Sequence, residues 1–214
     1  MKIIELEESA LRKGRDLARE NKKLLDEKGV YAFDVMGSVG SGKTSIIYWL
    51  VKKLKDRYDI GVIAGDLTTE LDAERIEKEN IPVVQAHTGR VCHLDSSLVR
   101  MAMESLPLED INILFIENVG NLICPAAFPL GVHSELVVTS VTEGPYIVKK
   151  HPYTFQRADL VAINKIDLRD AMKVSIEGLK EDLKELNPDA RMIGTNGITG
   201  EGVDKLIQCM NLPR

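Results

Sequence analysis

A glycine-rich segment, GSVGSGKT at residues 37–44, lies between an apolar segment and an amphipathic one. It matches the pattern Gly-x-x-x-x-Gly-Lys-Ser/Thr, in which a β-strand turns sharply into a helix. The glycines let successive backbone N–H groups converge on phosphate oxygens, and the N-terminus of the helix adds a favourable dipole. This segment, the phosphate loop, therefore requires a strand, a tight turn and a helix in that order.

Short apolar segments alternate with amphipathic ones over the rest of the chain. Strands are predicted at residues 30–36, 59–65, 82–86, 111–117, 134–140, 158–163 and 190–193. Helices are predicted at residues 43–56, 69–80, 94–104, 172–186 and 201–210, and the longest irregular stretches are 118–133 and 143–156. Nearly continuous apolar strands that alternate with helices are typical of a parallel sheet covered on both faces. The pattern predicts a three-layer α/β P-loop NTPase fold with a mainly parallel sheet.

The first part of the chain has a different periodicity. Pairs of apolar residues recur every seven positions, at Ile3/Ile4, Ala10/Leu11, Leu17/Ala18 and Leu24/Leu25. This narrow apolar stripe predicts a helix from residue 3 to about 27, which Gly29 would end. We therefore divide the chain into an N-terminal helix, 1–29, and a P-loop domain, 30–214. The helix is expected to pack on the domain surface or, alternatively, to bind a partner or a second copy.

Composition excludes several classes of partner. The chain has 28 Lys and Arg residues against 33 Asp and Glu residues, a net charge of −5, which disfavours binding to nucleic acid. No apolar run approaches the roughly 20 residues that span a bilayer. The N-terminus lacks the apolar region of a signal peptide. We therefore expect a cytoplasmic protein with no nucleic-acid or membrane partner.

The residues of the phosphate loop suit a nucleoside triphosphate. Lys43 can bridge the β- and γ-phosphates, and the Thr44 hydroxyl is a ligand for Mg²⁺. No contact with the nucleotide is assigned to the next residue, Ser45. The other residues would hold phosphate oxygens through the backbone: Gly37, Ser38, Val39, Gly40, Ser41 and Gly42. We expect a nucleotide and Mg²⁺ at this turn.

The segment NKID, residues 164–167, follows an apolar strand and predicts a guanine site. The Asp167 carboxylate can accept hydrogen bonds from N1–H and N2–H₂ of guanine, whereas adenine would leave it unpaired. The Lys165 stem can lie along the purine, and Asn164 can brace the loop. The candidates to close over the base after the next strand are Thr195 and Asn196. The expected ligands are GTP and GDP.

Two acidic residues at strand ends are candidates for catalysis and for Mg²⁺. Glu117 ends the strand ILFIE, and Gly120 follows three residues later, an arrangement similar to the Mg²⁺ and γ-phosphate sensor of P-loop proteins. Glutamate is longer than the usual aspartate, which favours contact through a Mg²⁺-bound water, although direct ligation stays open. Asp66, which follows the strand at 59–65, is the second candidate, or else a helix-entry residue. Further candidates to position water are Asp72 and Asn121.

Soft metal ligands occur near these strand ends. Cys92 and His93 are adjacent, and Cys124 follows Glu117 by seven residues. Thiolates and imidazole suit Zn²⁺ or Ni²⁺, but three donors fall short of a closed tetrahedral site, so buried thiols and a surface histidine remain the alternative. The possible fourth ligands are His87 and His133, whereas Cys209 lies among apolar residues and is expected in the core.

Together, these motifs resemble the hydrogenase-maturation nickel-insertion GTPases over roughly residues 10–210. The resemblance is carried by GSVGSGKT, GD at 65–66, TGRVCHLD at 88–95, ENVGNLICP at 117–125 and NKID. It implies a dimerising GTPase that helps to deliver Ni²⁺ to the large-subunit precursor of nickel–iron hydrogenase. It also implies metal bound by Cys92, His93 and Cys124 at the dimer interface, and a small zinc-containing nickel chaperone as partner.

Some members of that family carry an N-terminal cysteine motif or a His-rich run that binds nickel. Residues 1–29 contain neither Cys nor His, so the site in the P-loop domain would carry any metal role. The urease accessory GTPases are similar but have a Cys-Pro-His motif, whereas here Cys92 directly precedes His93. Two more distant functions are a P-loop kinase for a small molecule, against which NKID argues, and a metal-binding scaffold with a vestigial GTPase. We predict hydrolysis of GTP to GDP and phosphate, assisted by Lys43, Asp66 and Glu117.

Overall fold

One parallel sheet forms the centre of the protein. The computed structural model describes residues 2–65, 76, 78–87 and 92–213, with side chains from residue 12 onwards. The strands of this part are β1 (Tyr31–Met36), β2 (Ile60–Ala64), β3 (Val83–Gln85), β4 (Ile113–Glu117), β5 (Ser134–Ser140), β6 (Leu160–Asn164) and β7 (Arg191–Gly194). They pair in parallel in the order β3-β2-β4-β1-β5-β6-β7. All seven predicted strands are therefore present, and the predicted fold is confirmed.

Helices cover both faces of the sheet. The described ones are α1 (Lys2–Lys28), α2 (Lys43–Leu54), α3 (Ser96–Glu104), α4 (Cys124–Ala127), α5 (Ile147–Lys150), α6 (Pro152–Arg157), α7 (Ile176–Leu186) and α8 (Val203–Cys209). Single 3₁₀ turns lie at Leu108–Asp110, Val141–Glu143 and Ile166–Leu168. Most of the helix predicted at 69–80 lies outside the described residues. Of the helices described, none combines the length and the apolar character needed to cross a bilayer.

Capping side chains explain where two helices begin later than predicted. Helix α3 begins at Ser96 because Asp95 accepts hydrogen bonds from the N–H groups of Ser97 and Leu98, both at 2.8 Å. Helix α7 begins at Ile176, not at residue 172, because Ser175 accepts from Gly178 N at 3.0 Å. The stretches expected to be irregular contain the short helices α4, α5 and α6.

The alternation of side chains along β1 divides the core into two layers. Phe33 and Val35 point to the layer that α2 and α8 cover, whereas Ala32 and Met36 point to the opposite face. Asp34 shares that opposite face and is 3% exposed. The central strand therefore carries one buried carboxyl group between the apolar side chains of Ala32 and Met36.

Helix α1 packs on the domain through its C-terminal half. Ala18 and Leu25 are buried, and Asn21 donates hydrogen bonds to the carbonyls of Ser96, at 2.8 Å, and Leu130, at 3.1 Å. Gly29 follows the helix with φ of 70°, a conformation that favours glycine and that ends the helix as predicted. The amide of Asn21 thus fixes α1 against the start of α3.

Candidate functional site

A cleft of about 380 Å³ opens at the carboxyl edge of the sheet. In open α/β sheets, ligands bind at this edge. The predicted nucleotide residues that line the cleft are Val39, Gly40, Gly42, Lys43, Thr44, Glu117, Asn164, Lys165, Asp167 and Asn196. Ser45, to which the motif assigns no contact, lines it as well. The sheet therefore brings the phosphate loop, the NKID segment and the end of β4 to one site.

The phosphate loop has the left-handed backbone conformation that its glycines predict. Gly40 and Gly42 have φ of 74° and 99°, which residues with a side chain rarely adopt. A Cβ at Gly42 would lie 2.2 Å from Asn164 Nδ2, so that position has no room for a side chain. Lys43 begins α2 and is 3% exposed, with Nζ 3.4 Å from the Ser38 carbonyl.

A side chain that the sequence did not single out supports this loop from behind. Ser38 Oγ donates to Glu143 Oε2 at 2.6 Å, and Glu143 Oε1 accepts from Ser140 N at 2.7 Å and from Thr139 Oγ1 at 3.0 Å. Ser140 and Glu143 form a capping box, a local pattern that could have drawn attention to Glu143. The contact to Ser38 spans 105 residues and has no local signal.

The NKID segment is connected directly to the phosphate loop. Asn164 Nδ2 donates to Ser41 O at 2.9 Å, and Lys165 Nζ donates to Gly40 O at 2.7 Å. Asn164 Oδ1 also accepts from Gly197 N at 2.8 Å. Asn164 therefore braces the loops on both sides of the cleft, as expected of it.

The carboxylate of Asp167 is oriented by the segment after β7. Asn196 Nδ2 donates to Asp167 Oδ1 at 2.9 Å, while Asn196 Oδ1 accepts from Ile198 N at 2.8 Å. Thr195, the other candidate there, is fully buried. Trp49 Nε1 donates to Gly197 O at 3.0 Å, so the only tryptophan of the chain contacts this segment.

Glu117 lies at the end of β4 beside the phosphate loop. It is 2% exposed, and its Oε1 accepts a hydrogen bond from Thr44 Oγ1 at 2.6 Å. A hydroxyl and a carboxylate are hard oxygen donors, which fit Mg²⁺. Gly120 packs against the loop, because a Cβ there would lie 2.6 Å from Val39 Cγ2. The other acidic candidates, Asp66 and Asp72, lie outside the described residues.

Directly behind Glu117 lies a buried polar pair that no sequence pattern indicated as a pair. Asn118 Nδ2 donates to Asp34 Oδ1 at 3.1 Å and lies 3.3 Å from Oδ2. Burial raises the pKa of Asp34 to about 8, although the hydrogen bond from Asn118 opposes the shift. The available signal was the acidic residue in the otherwise apolar strand VYAFDVM.

Cys92 and Cys124, the thiol pair, lie beside each other. Cys92 is exposed and Cys124 is half-buried at the first residue of α4. A hydrogen bond with Cys92 raises the pKa of Cys124, as does its burial. The Cys92 sulfur lies 4.0 Å from His93 Nδ1, and the His93 ring stacks on Phe128 at 3.8 Å between centroids.

Burial lowers the pKa of His93, which favours the neutral imidazole that binds metals. Within the described residues, no three His, Cys, Asp or Glu side chains are arranged to hold a metal ion. One chain therefore brings two sulfurs and a nearby ring together without a closed set of ligands.

The remaining candidate ligands lie elsewhere. Both ring nitrogens of His133 are engaged, Nδ1 with Ala32 N at 3.1 Å and Nε2 with Asp26 Oδ1 at 2.9 Å. His87 is exposed, and Cys209 packs against the core as predicted. Asn121 Oδ1 accepts from Ile123 N at 2.8 Å, so its amide shapes the loop before Cys124.

The domain described as "CobW/HypB/UreG, nucleotide-binding domain" matches residues 32–194. The chain belongs to the CobW/HypB/UreG family. The matched residues begin in β1 and end with β7, so they include the phosphate loop, the end of β4 and NKID.

Within the CobW/HypB/UreG family, the chain is similar to HypB proteins. It is 48% identical to the probable hydrogenase maturation factor HypB of Methanocaldococcus jannaschii, over 96% of this chain and 93% of that protein. The crystal structure of HypB from Archaeoglobus fulgidus has a TM-score of 0.87 and 38% identity, covering 92% of this chain and 96% of that one. HypB from Helicobacter pylori in complex with nickel has a TM-score of 0.85 and 34% identity, covering 92% of both chains. The resemblance to hydrogenase-maturation proteins that the motifs indicated is confirmed.

Proposed function

We propose that the protein is a GTP-hydrolysing switch that assists nickel insertion during the maturation of nickel–iron hydrogenase. One observation carries this proposal: a single segment after β4 serves both the nucleotide cleft and the thiol pair. Glu117, the last residue of β4, accepts a hydrogen bond from the Thr44 hydroxyl. Cys124, seven residues later, lies beside Cys92. A change at the γ-phosphate would therefore reach the sulfur ligands through a short stretch of chain.

Guanine selectivity rests on Asp167. Its carboxylate lies in the cleft and is oriented by Asn196, so that it can receive the two N–H groups of guanine. An adenine there would leave the carboxylate without donors, which is unfavourable. The Lys165 stem and the backbone near Gly197 would enclose the ring.

Hydrolysis would be attack by water on the γ-phosphate. Lys43 and the backbone N–H groups of the phosphate loop would stabilise the negative charge that develops on the phosphoryl oxygens. Thr44, Glu117 and Asp66 would hold Mg²⁺, which when bound neutralises charge on the β- and γ-phosphates. Glu117 would either ligate the ion or accept a hydrogen bond from a water bound to it. Because no described side chain resembles a dedicated base for the water, we expect slow turnover until a second copy completes the site.

Nickel would be the cargo of the thiol pair. Thiolates and a neutral imidazole suit Zn²⁺ or Ni²⁺, and the ligands proposed are Cys92, His93 and Cys124. Because the described residues of one chain offer too few donors for a closed site, a two-fold related copy would supply the rest. Metal binding and GTP would then both promote a homodimer. The nickel complex of the H. pylori relative supports this choice of metal.

The proposed partners follow from the hydrogenase maturation factors to which the chain is similar. The protein would receive nickel from a small zinc-containing nickel chaperone and release it to the precursor of the hydrogenase large subunit. Release would accompany GTP hydrolysis, so that the direction of transfer is set by the nucleotide.

The base site is tested by Asp167→Asn, with Asp170→Asn as a control because its side chain is 92% exposed. In the variant, the NH₂ group of the asparagine side chain can face an N–H group of guanine, so that neither has an acceptor. Hydrogen bonds to charged groups are worth about 1.5–3 kcal/mol each, so the loss of two should weaken GTP binding by about 3 kcal/mol or more. Xanthosine triphosphate, with an acceptor at C2, should lose less. The readout is fluorescence of Trp49, whose indole contacts the base segment. Unchanged GTP affinity would remove Asp167 from the site.

The metal site is tested by Cys92→Ala with Cys124→Ala, against Cys209→Ala as a control at a partly buried cysteine that packs against the core. The double variant should lose stoichiometric Ni²⁺ and Zn²⁺ binding and keep GTP binding. Sedimentation should show a dimer that depends on metal and on a GTP analogue. One metal bound per monomer, with equal affinity in the GDP and GTP-analogue forms, would contradict both the shared site and the coupling.

A further inference from the structure

Asn118 connects three segments of the protein through one fully buried carboxamide. It directly follows Glu117 and is 0% exposed. Its Oδ1 accepts from Val119 N at 3.0 Å and from Leu94 N at 3.1 Å, and its Nδ2 donates to Asp34 at 3.1 Å. Every polar atom of this side chain is therefore bonded, and each direction leads to a different part of the fold.

The bond to Leu94 reaches the proposed metal ligands. Leu94 directly follows His93, and its side chain is 0% exposed in the core beneath α3. Leu94 N is thus the fixed point from which the exposed Cys92 and the half-buried His93 extend. A displacement of this N–H would tilt both ligands relative to Cys124.

The bond to Val119 reaches the nucleotide site. Val119 lies between Asn118 and Gly120, and Gly120 is packed so closely on Val39 of the phosphate loop that a Cβ would lie 2.6 Å from it. A γ-phosphate that draws the Gly120 backbone towards itself would move Val119 N. Because the same oxygen accepts from Val119 N and Leu94 N, a change in the first bond alters the second.

We propose that Asn118 is the positioning residue that couples the nucleotide site to Cys92, His93 and Cys124. This inference rests on the proposed function, since it names the route by which nucleotide and metal would affect each other. Asp34 fixes the orientation of the carboxamide, because its carboxyl oxygen accepts from Nδ2 and so directs Oδ1 towards the two N–H groups. Binding energy exchanged between the sites must be equal in both directions.

The experiment measures Ni²⁺ affinity by titration in the presence of Mg²⁺ with GDP and then with a non-hydrolysable GTP analogue. The ratio of the two affinities is the coupling factor, which for the unaltered protein should lie between about 5 and 150. In Asn118→Ala the factor should fall to near one, while GDP affinity and Ni²⁺ affinity in the GDP form stay close to those of the unaltered protein. A purely structural role would lower both affinities and leave their ratio in place.

Three further variants complete the test. Asn118→Ser introduces a hydroxyl that is too short to reach Leu94 N, so this variant should also lose coupling. It takes the place of Asn118→Ala if the alanine variant fails to fold. Asp34→Asn combined with Asn118→Asp exchanges donor and acceptor but keeps the shared oxygen, so coupling should return. Asn121→Ala tests the neighbouring route, because Asn121 contacts Cys92 O at 3.5 Å and its side chain also hydrogen-bonds Cys124. Coupling should persist in this variant.

The outcomes separate this inference from the proposed function. A coupling factor of one in the unaltered protein would refute nucleotide–metal coupling and this inference with it. A large factor that persists in Asn118→Ala or Asn118→Ser would overturn the role of Asn118 alone. Loss of coupling in Asn121→Ala with retention in the Asn118 variants would move the route to the exposed contact.

Discussion

Replacing Asp34 with asparagine should make the protein more stable at neutral pH. The carboxyl group is buried on the central strand, and burial raises its pKa from 3.8 to about 8. In the unfolded chain the group is ionised at neutral pH, whereas the raised pKa in the folded protein favours the protonated form. Asparagine has the shape and the neutral charge of the protonated group and can still accept the hydrogen bond from Asn118.

The magnitude follows from linkage between proton binding and folding. Because the pKa is raised in the folded state, the contribution of this group to the free energy of unfolding is fully present below pH 3.8. That contribution is lost progressively as the pH rises towards about 8. Each pH unit between these values removes about 1.36 kcal/mol from the free energy of unfolding. At pH 5 the loss is about 2 kcal/mol, and at pH 7 it is about 4 kcal/mol.

The assay is urea unfolding at several pH values between 5 and 8, followed by circular dichroism. Asp34→Asn should have a higher free energy of unfolding than the unaltered protein, and the difference should grow by about 1.36 kcal/mol for each pH unit. Asp170→Asn, a change at an exposed carboxylate, should run parallel to the unaltered protein. If the Asp34→Asn curve also runs parallel, the carboxyl group is ionised in the folded state and the reasoning from burial is refuted.

Three substitutions at the nucleotide site have expected outcomes. Gly42→Ala should lower both GTP affinity and the free energy of unfolding by more than about 1 kcal/mol, because φ is 99° and the Cβ would lie 2.2 Å from Asn164 Nδ2. A normal GTP affinity, measured by calorimetry, would show instead that the loop adapts. Lys43→Ala should abolish tight triphosphate binding, since it removes the charge at the β/γ oxygens, and retention of that binding in a filter assay would contradict the role. Glu117→Ala, which loses the contact to Thr44, should lower turnover and weaken the dependence on Mg²⁺. Normal turnover of that variant at limiting Mg²⁺ would show that Glu117 is misassigned.

The sequence predicted what is local. The seven strands follow from apolar runs, which parallel pairing buries most completely in the inner strands β2, β4, β1, β5 and β6. The phosphate loop follows from a pattern that few backbones can adopt. The first helix follows from its periodic stripe and from Gly29. The short helices α5 and α6 were missed because four to six residues are too few to show a helical period.

What the sequence could not give is contact between distant side chains. Ser38 meets Glu143 across 105 residues, and Asn118 meets Asp34 across 84. Such pairs depend on which strands become neighbours, and strand order is not written in any local pattern. Asp34 could have been noticed as an acid within an apolar strand, but its partner could not have been named.

The hydrogen bonds from Asn164 and Lys165 to the carbonyls of Ser41 and Gly40 join the base-binding segment to the phosphate loop. The two halves of the site should therefore bind a nucleotide as one unit. A ligand fragment that carries only the base, or only the phosphates, must bear the entropic penalty of ordering both loops by itself. An intact nucleotide meets that penalty once and receives the contacts of both halves. Guanosine and pyrophosphate together should therefore bind far more weakly than GDP, a chelate effect that arises from the protein as well as from the ligand.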